Sequence, residues 1–269
     1  MTHPYQSRTL GVLSAAQVVG GIGNGAGLAV GSLIVKDVSG SAAWAGMAVV
    51  MITLGAAAFT IPLARLAITY GRRPALALGW LAGAVGAAVT VVGSEADSLA
   101  VTLVGLGLFG ASTAANLQSR FAAVDLADAA QIGRSLSLVV WSTTIGAVIG
   151  PNLTGPGATL ASALDLPELA GPMIFSAASF FLAGLLTNIL LRPDPLLTAT
   201  QARPAGTPAS SGLRGVGAHL RGSTLAGVVT VCSAHAVMVA VMAMTPVHMQ
   251  DHGSSLNIIG LTISLHIAG

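Results

Sequence analysis

The stretch Leu66-Ala67-Ile68-Thr69-Tyr70-Gly71-Arg72-Arg73-Pro74 decides how the whole chain is read. It sets a glycine, two adjacent arginines and a proline between two long apolar runs. Glycine admits a backbone that ends a helix, and proline is tolerated in the first turn of the next one. The stretch is therefore a tight basic turn between two helices. Around it the chain is 54% hydrophobic and 7% charged. A water-soluble domain carries roughly a quarter charged residues. So little charge cannot coat a soluble globule, and backbone groups in hydrocarbon must pair within helices. An all-α integral membrane protein follows.

Working outward, apolar runs of about 18 or more residues mark spans. The first covers Thr9 to Val35, the second Ala42 to Ala64 and the third Ala75 to Val92. The fourth runs from Leu99 to about Gln118 and the fifth from Ser135 to Leu153, with a polar Gly/Pro-containing loop expected after it. The sixth covers Ala170 to Leu191 and the seventh Ser223 to Val247. An eighth begins near Leu256 and is still running at Gly269, so the chain reads as a fragment of a longer protein. Pro193, Pro195, Pro204 and Pro208 among small polar residues make 192–221 a flexible linker. The expected domains are a six-helix bundle at 1–191, that linker, and the start of a second bundle at 222–269.

Lysine and arginine orient the spans. Counting loops alternately, ten arginines fall on one side and only Lys36 on the other. This puts the N-terminus in the cytoplasm and the protein in the plasma (inner) membrane. The net charge of +2, scattered between apolar runs, excludes nucleic acid as a partner. Cys232 is the only cysteine, so no internal disulfide can form.

Six spans, a basic linker and further spans resemble the major facilitator superfamily, whose members usually have twelve. Tyr70-Gly71-Arg72-Arg73 is similar to the end of that family's loop between helices 2 and 3. Ile68 stands where the family usually has an acid, and Thr69 where it has a base. Two roles fit Gly71, Arg72 and Arg73: a conformational latch, or an anchor on lipid phosphates. Asp125 and Asp128, in the next loop on the same side, are the available acidic partners of a latch.

Gly146-Ala147-Val148-Ile149-Gly150-Pro151 resembles the antiporter signature of the same superfamily. Gly146 and Gly150 share a face and allow close helix approach, while Pro151 removes a hydrogen bond and kinks the helix. A bendable transport helix and an ordinary small-residue packing face with a proline kink both fit. The resemblance implies helices 1, 4 and 7 around a central cavity and alternating access between bundles. A secondary transporter is the expected function, exporting a small drug-like molecule in exchange for protons. Uptake of another solute, or a non-transporting scaffold, are the alternatives.

Polar residues in spans cost energy and tend to face cavities or one another. Gln17 and Asn24 lie seven residues apart on one face of the first span, and Asn116 and Arg120 four apart in the fourth. Interhelical hydrogen bonding and, for Arg120, snorkelling to the interface are the plainer roles. His235, Met238 and Met242 in the seventh span and Trp141 in the fifth complete the cavity candidates. Ordinary helix packing also accounts for the methionines. No Asp or Glu lies within spans one to seven to carry a proton. His248 and His252 flank Asp251 without a further ligand, so no metal is expected. No enzyme motif or cofactor loop is present, and the expected working unit is a monomer with a small-molecule substrate.

Overall fold

A computed structural model describes residues 3–201 and 222–268. Within those residues the chain is helical and contains no strand. Seven helical stretches are long and apolar enough to cross a membrane, and a shorter apolar helix ends the described chain.

The helices are α1 (Gln6–Ser39), α2 (Met47–Tyr70), α3 (Arg72–Glu95) and α4 (Leu99–Val124). Then come α5 (Ile132–Ile149), α6 (Thr154–Ala163), α7 (Gly171–Leu190) and the short α8 (Pro195–Gln201). After the undescribed residues follow α9 (Ser223–Asp251) and α10 (Leu256–Ala268). The first span is longer than its apolar run because Gly40, at φ +65°, is what ends it. Gly71, at φ +97°, closes α2 through its N–H to the Ala67 carbonyl and opens α3.

The fifth span departs from expectation. The polar loop expected after Leu153 is helical: Gly150–Leu153 forms a 3₁₀ turn that passes into α6. Pro151 cannot donate to Ala147, but a tighter turn absorbs that loss. Pro156 falls in the first turn of α6, where its missing N–H is harmless. The linker expected from residue 192 likewise begins with a helix, α8, packed against α2 and α3. Asp194 nucleates it, accepting from the N–H groups of Leu196 and Leu197 at 3.0 and 3.3 Å. Residues 202–221 of that linker lie outside the described residues.

The core is built on α1. One face presents Gly20, Gly23 and Gly27 to Trp80, Phe180 and Phe109 respectively. These three rings are fully buried and in contact, Phe109 edge-to-face with Phe180 at 4.9 Å and Trp80 tilted against Phe180 at 5.8 Å. The adjacent face sets Gly21 and Gly25 against α5, where an added Cβ would stand 2.7 Å from the carbonyls of Thr143 and Ala147. Glycine thus lets α1 lie in backbone contact with α5 while holding bulky rings on its other side.

Candidate functional site

Halfway along α1 and α4, a polar cluster forms between otherwise apolar helices. The Asn24 amide donates to the Gly20 carbonyl at 3.2 Å. Its oxygen accepts from the Ser112 hydroxyl at 3.1 Å and the Thr113 hydroxyl at 3.4 Å. Asn24 and Thr113 stay partly open, whereas Ser112 is buried. Two turns before Asn24, the buried Gln17 donates to the Asn116 carbonyl at 3.0 Å, leaving its own oxygen without a donor. Arg120, one turn beyond Asn116, keeps a buried Nε with no acceptor. Gln17 and Asn24 are therefore tied to α4 across the seam, through the Asn116 backbone and the Ser112 and Thr113 hydroxyls, while Arg120 lies one turn further along α4. Ser112 and Thr113 join them without any signal in the sequence, since a hydroxyl in a helix usually bonds its own backbone.

The remaining cavity candidates lie elsewhere. Trp141 is 69% exposed, and His235 and Met238 stand on the open part of α9. Met242 is half-buried and lines a cleft of about 120 Å³ between α9 and α10 with Thr245, Thr262 and His266.

At the turn between α2 and α3, Arg72 grips Asp125 with two bonds, Nε to Oδ2 at 2.8 Å and Nη2 to Oδ1 at 3.3 Å. Its guanidinium also stands 5.9 Å above the Phe121 ring. The Arg73 N–H donates to Asp194 at 2.7 Å, and the Asp194 carboxylate fills the space where a side chain on Gly71 would sit. Asp194 was detectable as an N-cap acid followed by proline. The turn thus ties α3 to α4 and to the start of the linker, all on one side of the molecule. Ile68, in the family's usual acidic position, is 76% exposed.

Gly146, Gly150 and Pro151 work on two surfaces. A Cβ on Gly146 would strike the Val18 carbonyl, and one on Gly150 the Ile22 carbonyl, so both serve the α1 contact. On the other surface α10 covers the break in the fifth span. Gly260 lies against the Pro151 carbonyl. Asn152 donates to the Ser264 hydroxyl at 2.7 Å, Ser264 to the Val148 carbonyl at 2.6 Å, and Thr154 to the Leu256 carbonyl at 2.9 Å. The Val148 carbonyl beside the irregular turn thus accepts from α10, and the turn's own Thr154 bonds an α10 carbonyl in return.

A many-span helical protein with a glycine-lined first helix, a broken fifth span and an arginine turn after its second has the build of a membrane carrier. The chain belongs to the Major Facilitator Superfamily, whose sequence profile matches residues 12–269. It is 39% identical over 263 residues to YdeG of Bacillus subtilis, named an uncharacterized MFS-type transporter, covering 97% of this chain and 61% of that protein. YddS of the same organism is 39% identical over 267 residues, with the same coverage. The riboflavin transporter RfnT of Brucella anthropi is 30% identical over 271 residues, covering 97% of this chain and 63% of that protein. The chain thus spans about three-fifths of these relatives' length. A crystal structure of an auto-inhibited POT family peptide transporter shares the fold, with a TM-score of 0.53 at 15% identity, over 97% of this chain and 50% of that one.

Proposed function

We propose that the protein of which this chain forms the matching part is a secondary transporter that moves a small organic molecule by alternating access. The carrying observation is the α1–α4 seam, where Asn24 and Thr113 offer partly open polar groups halfway across an apolar bundle. Transporter sites lie at that depth. Among the described residues their hydrogen-bond partners are all neutral, so recognition there proceeds through neutral hydrogen bonds and apolar contact. The preferred direction is export in exchange for protons, on the strength of the Gly146-Gly150-Pro151 pattern. The ten arginines against one lysine support a cytoplasmic N-terminus in the plasma membrane. In proteoliposomes, a pH gradient should drive ethidium efflux, with Pro151→Ala or Arg72→Ala reducing it at least several-fold. Efflux no faster than in protein-free liposomes removes this reading.

The likeness to a riboflavin transporter favours a second reading, uptake of a flavin-like solute. Riboflavin entry measured by its fluorescence, abolished by Asn24→Leu, distinguishes the two.

A further inference from the structure

We propose that Arg120, with Ser14 and Gln17 of the facing helix, holds the acid group of a small organic anion in the α1–α4 seam. The inference rests on the transport reading above and names a class of substrate for it.

Two glutamines tie the N-terminal half of α1 to the end of α4. Gln6 donates to the Ala123 carbonyl at 2.9 Å and Gln17 to the Asn116 carbonyl at 3.0 Å. Asn116, Arg120 and Ala123 share one face of α4 by helical spacing, so Arg120 leaves α4 between the two ties. In a regular helix the Asn116 carbonyl also receives the Arg120 N–H, which sets the Gln17 amide beside the arginine's backbone. Ser14, three residues before Gln17, lies between the ties on α1.

Unpartnered polarity collects in this short length of seam. Among the described residues, seven buried side-chain nitrogens and oxygens have no hydrogen-bond partner, and four of them belong here: Gln6 Oε1, Ser14 Oγ, Gln17 Oε1 and Arg120 Nε. Gln17 is 0% exposed. A buried polar atom without a partner is costly, and a charged one most of all. A guanidinium does not lose its proton, so Arg120 cannot escape that cost by becoming neutral. Among the described residues no carboxylate pairs with it, and the nearest in sequence, Asp125, is held by Arg72. A charge kept in a span on such terms marks a site for a ligand.

The donors and acceptors define the ligand. The planar fork of arginine fits carboxylate or phosphate oxygens. Gln17 Oε1 only accepts, so it suits a hydroxyl or N–H group beside the acid, and Ser14 serves in either sense. Arg120 is half-buried, which leaves it reachable although its Nε is sheltered. Thr113 lies two turns back along α4, about 10 Å away. One molecule of that length meets Arg120 with its acid end and the Asn24–Thr113 pair with its neutral end.

Phenylglyoxal, which condenses with guanidinium groups, tests this on the unaltered chain in dodecyl maltoside, with adducts located by peptide mapping. Two matched pairs serve as probes, salicylate against salicylamide and flavin mononucleotide against riboflavin. Each anion carries a hydroxyl near its acid group. At least one anion should slow modification of Arg120 about five-fold while its neutral counterpart does not. The exposed Arg65 should react equally throughout. Protection of Arg120 by neither anion, or equally by anion and neutral counterpart, overturns the proposal. Protection by added phosphatidylglycerol alone assigns Arg120 to a lipid headgroup and overturns it too. In equilibrium dialysis, Arg120→Gln should abolish the preference for the anion, and Arg120→Lys should keep part of it. An undiminished preference in Arg120→Gln is equally fatal. Riboflavin or ethidium flux without any protection of Arg120 leaves the transport reading standing and removes the acid site. Protection without flux of any probe does the reverse.

Discussion

The two ends of this molecule hold their charges differently. At the Arg72 end, the ion pair is two-pronged, its side chains are 15% and 12% exposed, and it joins the neighbouring helices α3 and α4. A backbone contact from Arg73 to Asp194 adds the linker to the same block. At the Lys36 end, the Lys36–Asp251 pair is more open and joins α1 to α9. A sheltered pair between adjacent helices braces them, whereas an open, solvated pair holds its helices more weakly. Arg72 thus ties α3 to α4 here, and the pair that joins α1 to α9 sits at the opposite end.

The sharpest way to break this contrast is at Asp125. Asp125→Ala strands a sheltered guanidinium and should destabilise the chain by about 3 kcal/mol. Thermal unfolding in detergent measures it, and Arg72→Met with Asp125→Leu should recover more than half. Next comes Gly71→Ala, which imposes both a strained φ and a collision with Asp194. A loss of about 2 kcal/mol is expected, falling to about 1 kcal/mol when Asp194→Ala has already cleared the space. The smallest effect belongs to the other end. Lys36→Ala should shift stability by less than about 1 kcal/mol and lose even that in high salt. A loss at Lys36 as large as that at Asp125 would erase the distinction between the open and the sheltered pair.

Much of the architecture is legible in the residues alone. Hydropathy locates the spans, because only long apolar runs survive in lipid, and Gly71 with its arginines marks a turn by local chemistry. Local signals fail where a distant helix supplies the answer. The loop expected after Leu153 is helical where α10 packs on it, bonding the Val148 carbonyl and accepting from Thr154. Gln17 and Asn24 share a face by helical spacing, but only the fold brings Ser112, Thr113 and the Asn116 carbonyl to them. Trp141 and His235 are polar-tipped residues in the right spans, yet spacing cannot tell an open face from the α1–α4 seam. Lys36 and Asp251 stand 215 positions apart, beyond any local pattern.

The seam between α10 and the fifth span also bears on how the protein is made. Asn152 waits for Ser264, which follows 112 residues later. At about 5–20 residues per second, ribosomes need roughly 6–22 s to cover that distance. Throughout that interval the first six spans sit in the bilayer with the irregular turn at Pro151 uncovered. Nascent chains halted before Leu256 should therefore be more open to membrane chaperones and proteases at the fifth span than chains halted after Ser264.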